Sequence, residues 1–170
     1  DRTACPSGCD PRTRYRITAS ELDAASTTYR TTVTDYDQFE RAFQSATQMP
    51  GGASAVASTE RDARGRVTRQ YAPHWSGNPH DGYTQFAYDM LDRVTSTGAY
   101  TASGSLYRSS SSAYNGLSVT GTNPRGYSTT EVRTAWGDRM RVTDGAGNHS
   151  YYRYDAFGNL TRLIDPLNNN

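Results

Sequence analysis

The fold is decided by the stretch Tyr154-Asp155-Ala156-Phe157-Gly158-Asn159 and by its counterpart 21 residues earlier, Arg133-Thr134-Ala135-Trp136-Gly137-Asp138. Both place an aromatic residue directly before a Gly. Asp at the first position of a four-residue turn accepts hydrogen bonds from backbone N–H groups two residues on. Gly at the fourth position supplies the positive φ that returns the chain. Each stretch is therefore predicted to be a hairpin corner.

The corner recurs along the chain. A second series with the same offset of 21 residues consists of Asn123-Pro124-Arg125-Gly126, Asp144-Gly145-Ala146-Gly147 and Asp165-Pro166-Leu167-Asn168. Looser copies are Tyr36-Asp37-Gln38-Phe39-Glu40, Arg61-Asp62-Ala63-Arg64-Gly65, Tyr88-Asp89-Met90-Leu91-Asp92 and a shortened Tyr114-Asn115-Gly116-Leu117. The rough alternation between corners predicts strands. Because a lone hairpin is marginal in water, stability must come from stacking of the units.

Two corners lack the Gly, since Glu40 and Asp92 occupy its position. Neither residue favours left-handed backbone as Gly does, so a different turn type is expected there. Asn168 also replaces the Gly, but Asn tolerates this conformation. The Asp residues recur as turn residues and are not interpreted as the paired carboxylates of a hydrolase, because catalysis needs one constellation and not many equivalent copies.

The composition supports a sheet. All 18 basic residues are Arg, and the net charge of +1 does not favour a nucleic-acid partner. Leu, Ile, Val and Phe number only 20 of 170, which is typical of disorder, but 13 Tyr, 22 Thr and 15 Gly are typical of twisted sheet with tight turns. No apolar run reaches 18 residues, so no membrane span is predicted. We predict an all-β chain.

The heptad Tyr154-Asp155-Ala156-Phe157-Gly158-Asn159-Leu160 resembles the defining motif of the YD-repeat, or rearrangement hotspot (Rhs), family. The resemblance extends with gaps from about Tyr29 to Asn169, and the last fifty residues are most similar to bacterial Rhs-type proteins, including the C subunits of insecticidal toxin complexes. It implies stacked antiparallel hairpins in a spiral sheet, a solenoid-like shell segment that encloses a C-terminal toxin domain. Nothing in the chain matches the self-cleaving aspartyl site of the family.

The resemblance also implies a role without catalysis or cofactor. The expected partners are the remainder of a larger Rhs-type polypeptide and its toxin cargo, with secretion or toxin-complex subunits as further partners. The expected location is extracellular, as part of a larger exported protein. Residues 1–28 are expected to be an irregular lead-in with at most one strand pair, and residues 29–170 one continuous repeat array that is incomplete at its C-terminal end.

Few residues suggest chemistry. His74, His80 and Asp81 could hold a metal or supply a general base, but the Pro, Gly and Asn around them favour a solvent-facing loop. Ser109-Ser110-Ser111-Ser112 is interpreted as a flexible loop. Cys5 and Cys9 could form a disulfide in an oxidising compartment or remain free thiols, and their spacing makes a zinc site the weakest alternative.

A second hypothesis is an extracellular binding module for a glycan or a partner protein. Its candidate residues are Trp75 and Trp136, because sugar rings stack on aromatic faces. The aromatic residues recur with the repeat, however, and packing between hairpins explains such recurrence more simply.

Overall fold

The computed structural model describes residues 2–4, 10–22, 28–49 and 51–167. The regular structure in these ranges is entirely β-strand, which confirms the all-β prediction. The strands are β1 (Arg2–Ala4), β2 (Tyr15–Leu22), β3 (Thr28–Tyr36), β4 (Ala42–Gln48), β5 (Ser54–Arg61), β6 (Val67–Tyr71), β7 (His74–Trp75), β8 (Gly82–Tyr88), β9 (Val94–Thr101), β10 (Leu106–Asn115), β11 (Ser118–Thr122), β12 (Ser128–Arg133), β13 (Arg139–Thr143), β14 (His149–Tyr154) and β15 (Leu160–Ile164). None of the described residues lies in a helix that could span a membrane.

The strands follow one another as hydrogen-bonded antiparallel neighbours in chain order, with one exception. The exception is the short β7, which pairs with β5 through Ala55 opposite Trp75 and Val56 opposite His74. The order follows from the corners, because a tight turn can only join antiparallel neighbours.

The chain divides into two compact units, Asp1–Phe86 with Ala99–Tyr107, and Ala87–Gly98 with Arg108–Asn170. No boundary inside 29–170 is visible in the sequence. Residues 1–28 are expected to hold at most one strand pair, and the described part of this range contains β1 paired with β2. β2 also pairs with β3 along its length. The prediction of a loop at Ser109–Ser112 is wrong, because this run lies within β10. Its backbone pairs with β11, with Ser111 opposite Thr122, so backbone pairing overrides the weak strand preference of Ser.

The first unit has almost no apolar core. Among the described residues of the chain, Phe43 on β4 is the only buried apolar side chain, and it is 5% exposed. The buried polar residues are Thr13 and Asp35. Asp35 on β3 lies directly opposite Arg16 on β2. Its carboxylate accepts hydrogen bonds from Nε of Arg16 at 2.7 Å and from Nη2 at 2.9 Å. A cross-strand ion pair thus occupies a place that an apolar side chain has in most sheets.

The second unit is held by polar contacts between strands. Thr120 on β11 lies opposite Thr130 on β12 with their hydroxyls 2.8 Å apart, and Thr122 lies opposite Ser128 at the same separation. None of its described large apolar side chains is buried. Cross-strand hydroxyl pairs of this kind contribute modestly, so most of the order in this unit comes from the ladders and the corners.

Candidate functional site

The corner at Asp155 shows how the repeated motif works. Its Oδ1 accepts the backbone N–H groups of Phe157 and Asn159, each at 2.9 Å, and its Oδ2 accepts the side-chain amide of Asn159 at 2.9 Å. The N–H of Gly158 donates to the Asp155 carbonyl at 3.2 Å and closes the turn. One carboxylate therefore satisfies three donors that would otherwise need water.

Four other corners repeat this arrangement, three of them with Arg in place of the Asn. The residue four places after the Asp donates its side chain to Oδ2, at 2.7–2.9 Å. It is Arg in three corners and Asn in two: Asp37 with Arg41, Asp62 with Arg66, Asp89 with Arg93, Asp144 with Asn148 and Asp155 with Asn159. At the last corner, Oδ1 of Asp165 accepts the backbone N–H of Leu167 at 2.9 Å. The carboxylates predicted to be turn residues are thus engaged in turns.

These contacts lower the pKa of the five carboxyls that accept the side chain of the fourth following residue. At Asp144 and Asp155 the main cause is the side-chain hydrogen bond from the Asn, followed by the backbone N–H groups. At Asp62 and Asp89, loss of surrounding water raises the pKa, but the hydrogen bonds from Arg66 and Arg93 and from the backbone outweigh it, and the net pKa is lowered. The ionised carboxylate is therefore part of the folded turn.

Some corners use a neutral residue in the Asp position. Asn123 accepts the N–H groups of Arg125 and Tyr127 through Oδ1, at 2.9 and 3.1 Å. Thr134 accepts the N–H of Asp138 through its hydroxyl at 3.1 Å. The sequence reasoning missed a further corner, at Thr101, whose hydroxyl accepts the N–H of Ser105 at 3.1 Å. Thr-x-x-Gly was the signal that could have revealed it.

The prediction of a different turn type at Glu40 and Asp92 is wrong. Both residues adopt left-handed backbone, with φ of 60° and 62°, and their N–H groups donate to Asp37 and Asp89 as the Gly residues do elsewhere. At the full-length corners with Gly at the fourth position, φ lies between 82° and 95° for Gly65, Gly126, Gly137, Gly147 and Gly158. At Gly116, in the shortened corner, φ is 57°. The Asp and Arg contacts on either side hold the turn and impose the conformation on a residue that disfavours it.

The aromatic position before the Asp is where the strand pairing shifts by one residue. Tyr36 pairs with Ala42 and Tyr154 pairs with Leu160 across such bulges, and Tyr88 ends β8 in the same position. A type I turn with a left-handed fourth residue produces a bulge of this kind. The ring of Tyr36 stacks on Tyr15 with centroids 4.8 Å apart.

The prediction that His74, His80 and Asp81 lie together in a solvent-facing loop is only partly right. His74 pairs with β5, and the ring of His80 is half-buried against Tyr71, with centroids 4.7 Å apart, and 6.0 Å from Tyr83. The rings of His74 and His80 are 6.5 Å apart. Within the described ranges no three His, Cys, Asp or Glu side chains form a group that could hold a metal.

Behind this segment lies a cavity of about 530 Å³ whose walls include four Tyr residues and one carboxylate. These residues are Tyr71, Tyr83, Tyr100, Tyr107 and Asp81. Tyr83 stacks on Tyr100 with centroids 4.9 Å apart. The hydroxyl of Tyr71 donates to Glu60 at 2.7 Å, and burial followed by this contact raises the pKa of Tyr71. Aromatic faces beside a carboxylate are the chemistry that binds sugar rings.

Packing between hairpins does not account for all aromatic residues. Trp136 and Phe157, at the third position of their corners, are each 91% exposed, and Trp75 is 50% exposed. The packing interpretation holds for the stacked Tyr pairs but is wrong for these corner aromatics, because the turn directs the third residue outward. The two remaining candidates, Cys5 and Cys9, and the Asn168 position lie outside the described residues.

Comparison with known proteins agrees with this geometry. Residues 133–169 match the family model described as RHS Repeat. The crystal structure of TcdB2-TccC3 has a TM-score of 0.73 at 18% identity, covering 97% of this chain and 10% of that chain. The structure of the Photorhabdus luminescens Tc holotoxin pore matches with a TM-score of 0.71 at 18% identity. That match covers 92% of this chain and 10% of the holotoxin chain. No curated protein matches in sequence.

The match confirms the resemblance to the Rhs/YD-repeat family over residues 133–169. The chain as a whole has the same fold as the matched part of these toxin-complex structures. It spans about a tenth of the length of the solved chains that it matches.

Proposed function

We propose that the chain is a non-catalytic structural segment of an Rhs/YD-repeat shell that encloses a C-terminal toxin domain and helps to deliver it. The observation that carries the proposal is the near absence of a core: Phe43 is the buried apolar side chain of the described residues, whereas many large apolar side chains are exposed. A chain of this size that folds as an independent globule buries a substantial apolar interior. A sheet without one fits a wall that other parts of a larger assembly cover.

The corners support the same role. Their carboxylates are occupied by hydrogen bonds within the turn, at 2.7–2.9 Å to the side chain of the fourth following residue, and so are committed to shape. The solved structures with this fold carry names of toxin complexes and a holotoxin. The partners that follow are the rest of a larger polypeptide and its cargo, in an exported, extracellular protein.

The test begins with the intact mass of the native polypeptide that contains these residues, measured by top-down mass spectrometry. A shell requires a product several times larger than 18.7 kDa. Limited proteolysis of that native product then tests enclosure: the region after the repeats should resist protease until the sheet is unfolded. A native chain of this length alone, or a cargo region cut as fast as a free domain, contradicts the proposal.

The second candidate is a binding module for a glycan, and the Tyr-lined cavity beside Asp81 favours it. Saturable binding on a glycan array that Tyr107→Ala abolishes, with Tyr127→Ala as an exposed control outside the cavity, supports this function. Trp75→Ala tests the neighbouring surface in the same way. Absence of saturable binding eliminates the candidate.

A further inference from the structure

The first unit contains a second cavity, of about 580 Å³, whose walls include four Arg residues and one acidic residue, Asp37. We name it the arginine cleft, and it is defined by Arg12, Arg14, Arg41 and Arg61. Arg12 and Arg14 precede β2, Arg41 closes the corner between β3 and β4, and Arg61 ends β5. Three separate segments therefore bring Arg side chains to one cavity.

Two of these Arg residues already hold a carboxylate. Arg12 contacts Asp10 through Nε at 2.9 Å and Nη2 at 2.7 Å, and Arg41 contacts Asp37 through Nε at 2.8 Å and Nη2 at 2.7 Å. Four cationic groups against two carboxylates leave two positive charges. Each guanidinium has five N–H donors, so donors remain even on the paired residues.

The next carboxylate near Arg12 is Glu60, which acts on it through space. Its own oxygens are engaged elsewhere, by the hydroxyl of Tyr71 at 2.7 Å and by Arg69 at 3.6 Å. Glu60 is paired with Arg69, which also lies outside the cleft walls, so the two together add no net charge beside the cleft.

The other two Arg residues have no carboxylate partner among the described residues. Arg61 donates to the carbonyl of Gly65 at 3.2 Å, and the side chain of Arg14 has no hydrogen-bond partner in the described ranges. A buried group without a partner lies in the same wall: Thr13 is 9% exposed, and its hydroxyl has no partner among the described residues. Buried polar atoms are rarely left without partners, and those that are often mark the place of a bound ion or water.

Aromatic rings hold two of the guanidinium groups in place. The guanidinium of Arg12 lies 4.7 Å from the ring centre of the buried Phe43, and that of Arg41 lies 4.7 Å from the ring centre of Phe39. A planar guanidinium fixed by an ion pair and a ring loses little freedom when it binds a further anion.

We propose that the arginine cleft binds a phosphate group. Guanidinium forks match phosphate and carboxylate oxygens alike, but two uncompensated positive charges match a phosphate monoester, which carries about two negative charges at neutral pH, better than a single carboxylate. The phosphate can be inorganic or part of an organic monoester. This binding does not depend on the proposed role as a shell.

The test is calorimetric titration of the native polypeptide at physiological ionic strength. Inorganic phosphate and adenosine monophosphate are used as separate probes, so that the two sources of phosphate are distinguished. Arg14→Gln and Arg61→Gln should each weaken binding about tenfold, as expected for loss of a charge-assisted hydrogen bond. Arg61→Lys, which keeps the charge and loses the fork, should weaken it less than Arg61→Gln. The control is Arg108→Gln, an exposed Arg on β10 outside the cleft.

Unchanged thermal midpoints of the variants show that they fold. The proposal is overturned if neither probe binds saturably. It is also overturned if Arg14→Gln and Arg61→Gln bind as the parent does, or if Arg108→Gln weakens binding as much as they do, because the effect is then one of general charge.

Discussion

Asn159 donates both its backbone N–H and its side-chain amide to the carboxylate of Asp155, each at 2.9 Å. Asn148 donates the same two groups to the carboxylate of Asp144. Asn123 makes the two backbone contacts of this corner without a charge, at 2.9 and 3.1 Å. An uncharged acceptor at the first position can therefore make the same backbone contacts as the carboxylate.

Stability should fall in acid because of these carboxylates. Their pKa values in the folded chain lie below the ordinary 3.8, so the stability that they contribute is present above this value and is lost as pH falls through the folded pKa. The double variant Asp144→Asn and Asp155→Asn should lose less of its thermal midpoint than the parent between about pH 4 and pH 2. Equal pH profiles contradict the assignment.

Replacing Glu40 by Gly should stabilise the chain by about 1 kcal/mol, because the left-handed backbone at φ of 60° strains a residue with a Cβ. Chemical denaturation measures the change. Glu40→Gln is the control, since it also loses the exposed contact to Arg2 at 3.4 Å but keeps the strain. If both variants change the free energy of unfolding equally, the gain does not come from relief of backbone strain.

Gly82→Ala should destabilise the first unit by about 1–3 kcal/mol. A Cβ at this buried position on β8 would overlap the carbonyl oxygen of Tyr100 on β9, and the backbone would have to move. Gly121→Ala on β11 is the matched control, because nothing lies within 4 Å of a Cβ there. Urea denaturation should separate the two variants. An equal effect of both would show that loss of Gly itself, and not the overlap, is responsible.

Asp35→Ala should cost about 2–4 kcal/mol, because it leaves the half-buried Arg16 without its partner. The control is Glu21→Ala on the same pair of strands, where Glu21 lies opposite Arg30 in an exposed ion pair at 2.6 Å. Exposed pairs contribute at most about 1 kcal/mol. A double-mutant cycle with Arg16→Met measures the coupling directly, and a coupling no larger than that of the exposed pair contradicts the prediction.

Much of the fold could be predicted because the corner is a local structure. An acceptor at the first position and Gly at the fourth, as at Asp155 and Gly158, determine the turn through contacts within five residues. The turn type at Glu40 and Asp92 could not be predicted in this way. Their sequence opposes the turn, and the ion pairs of Asp37 with Arg41 and Asp89 with Arg93 restore it.

The candidate sites were less accessible to sequence reasoning. His80 lies among Tyr71 and Tyr83 because β6 and β8 pair with one another, and no spacing in the loop reveals this. The arginine cleft likewise draws Arg12, Arg41 and Arg61 from segments far apart in the chain. Such groupings depend on which strands become neighbours.

The sequence by itself determined the corners that begin with Asp or Asn and that the regular structure of the described residues is β-strand, because the hydrogen bonds of such a corner join groups within five residues of one another. Only the tertiary structure decided that Asp35 is buried against Arg16, that His80 packs on Tyr71 and that four Arg residues line one cavity. These outcomes depend on strand register and on contacts between distant segments, which no local pattern of residues specifies.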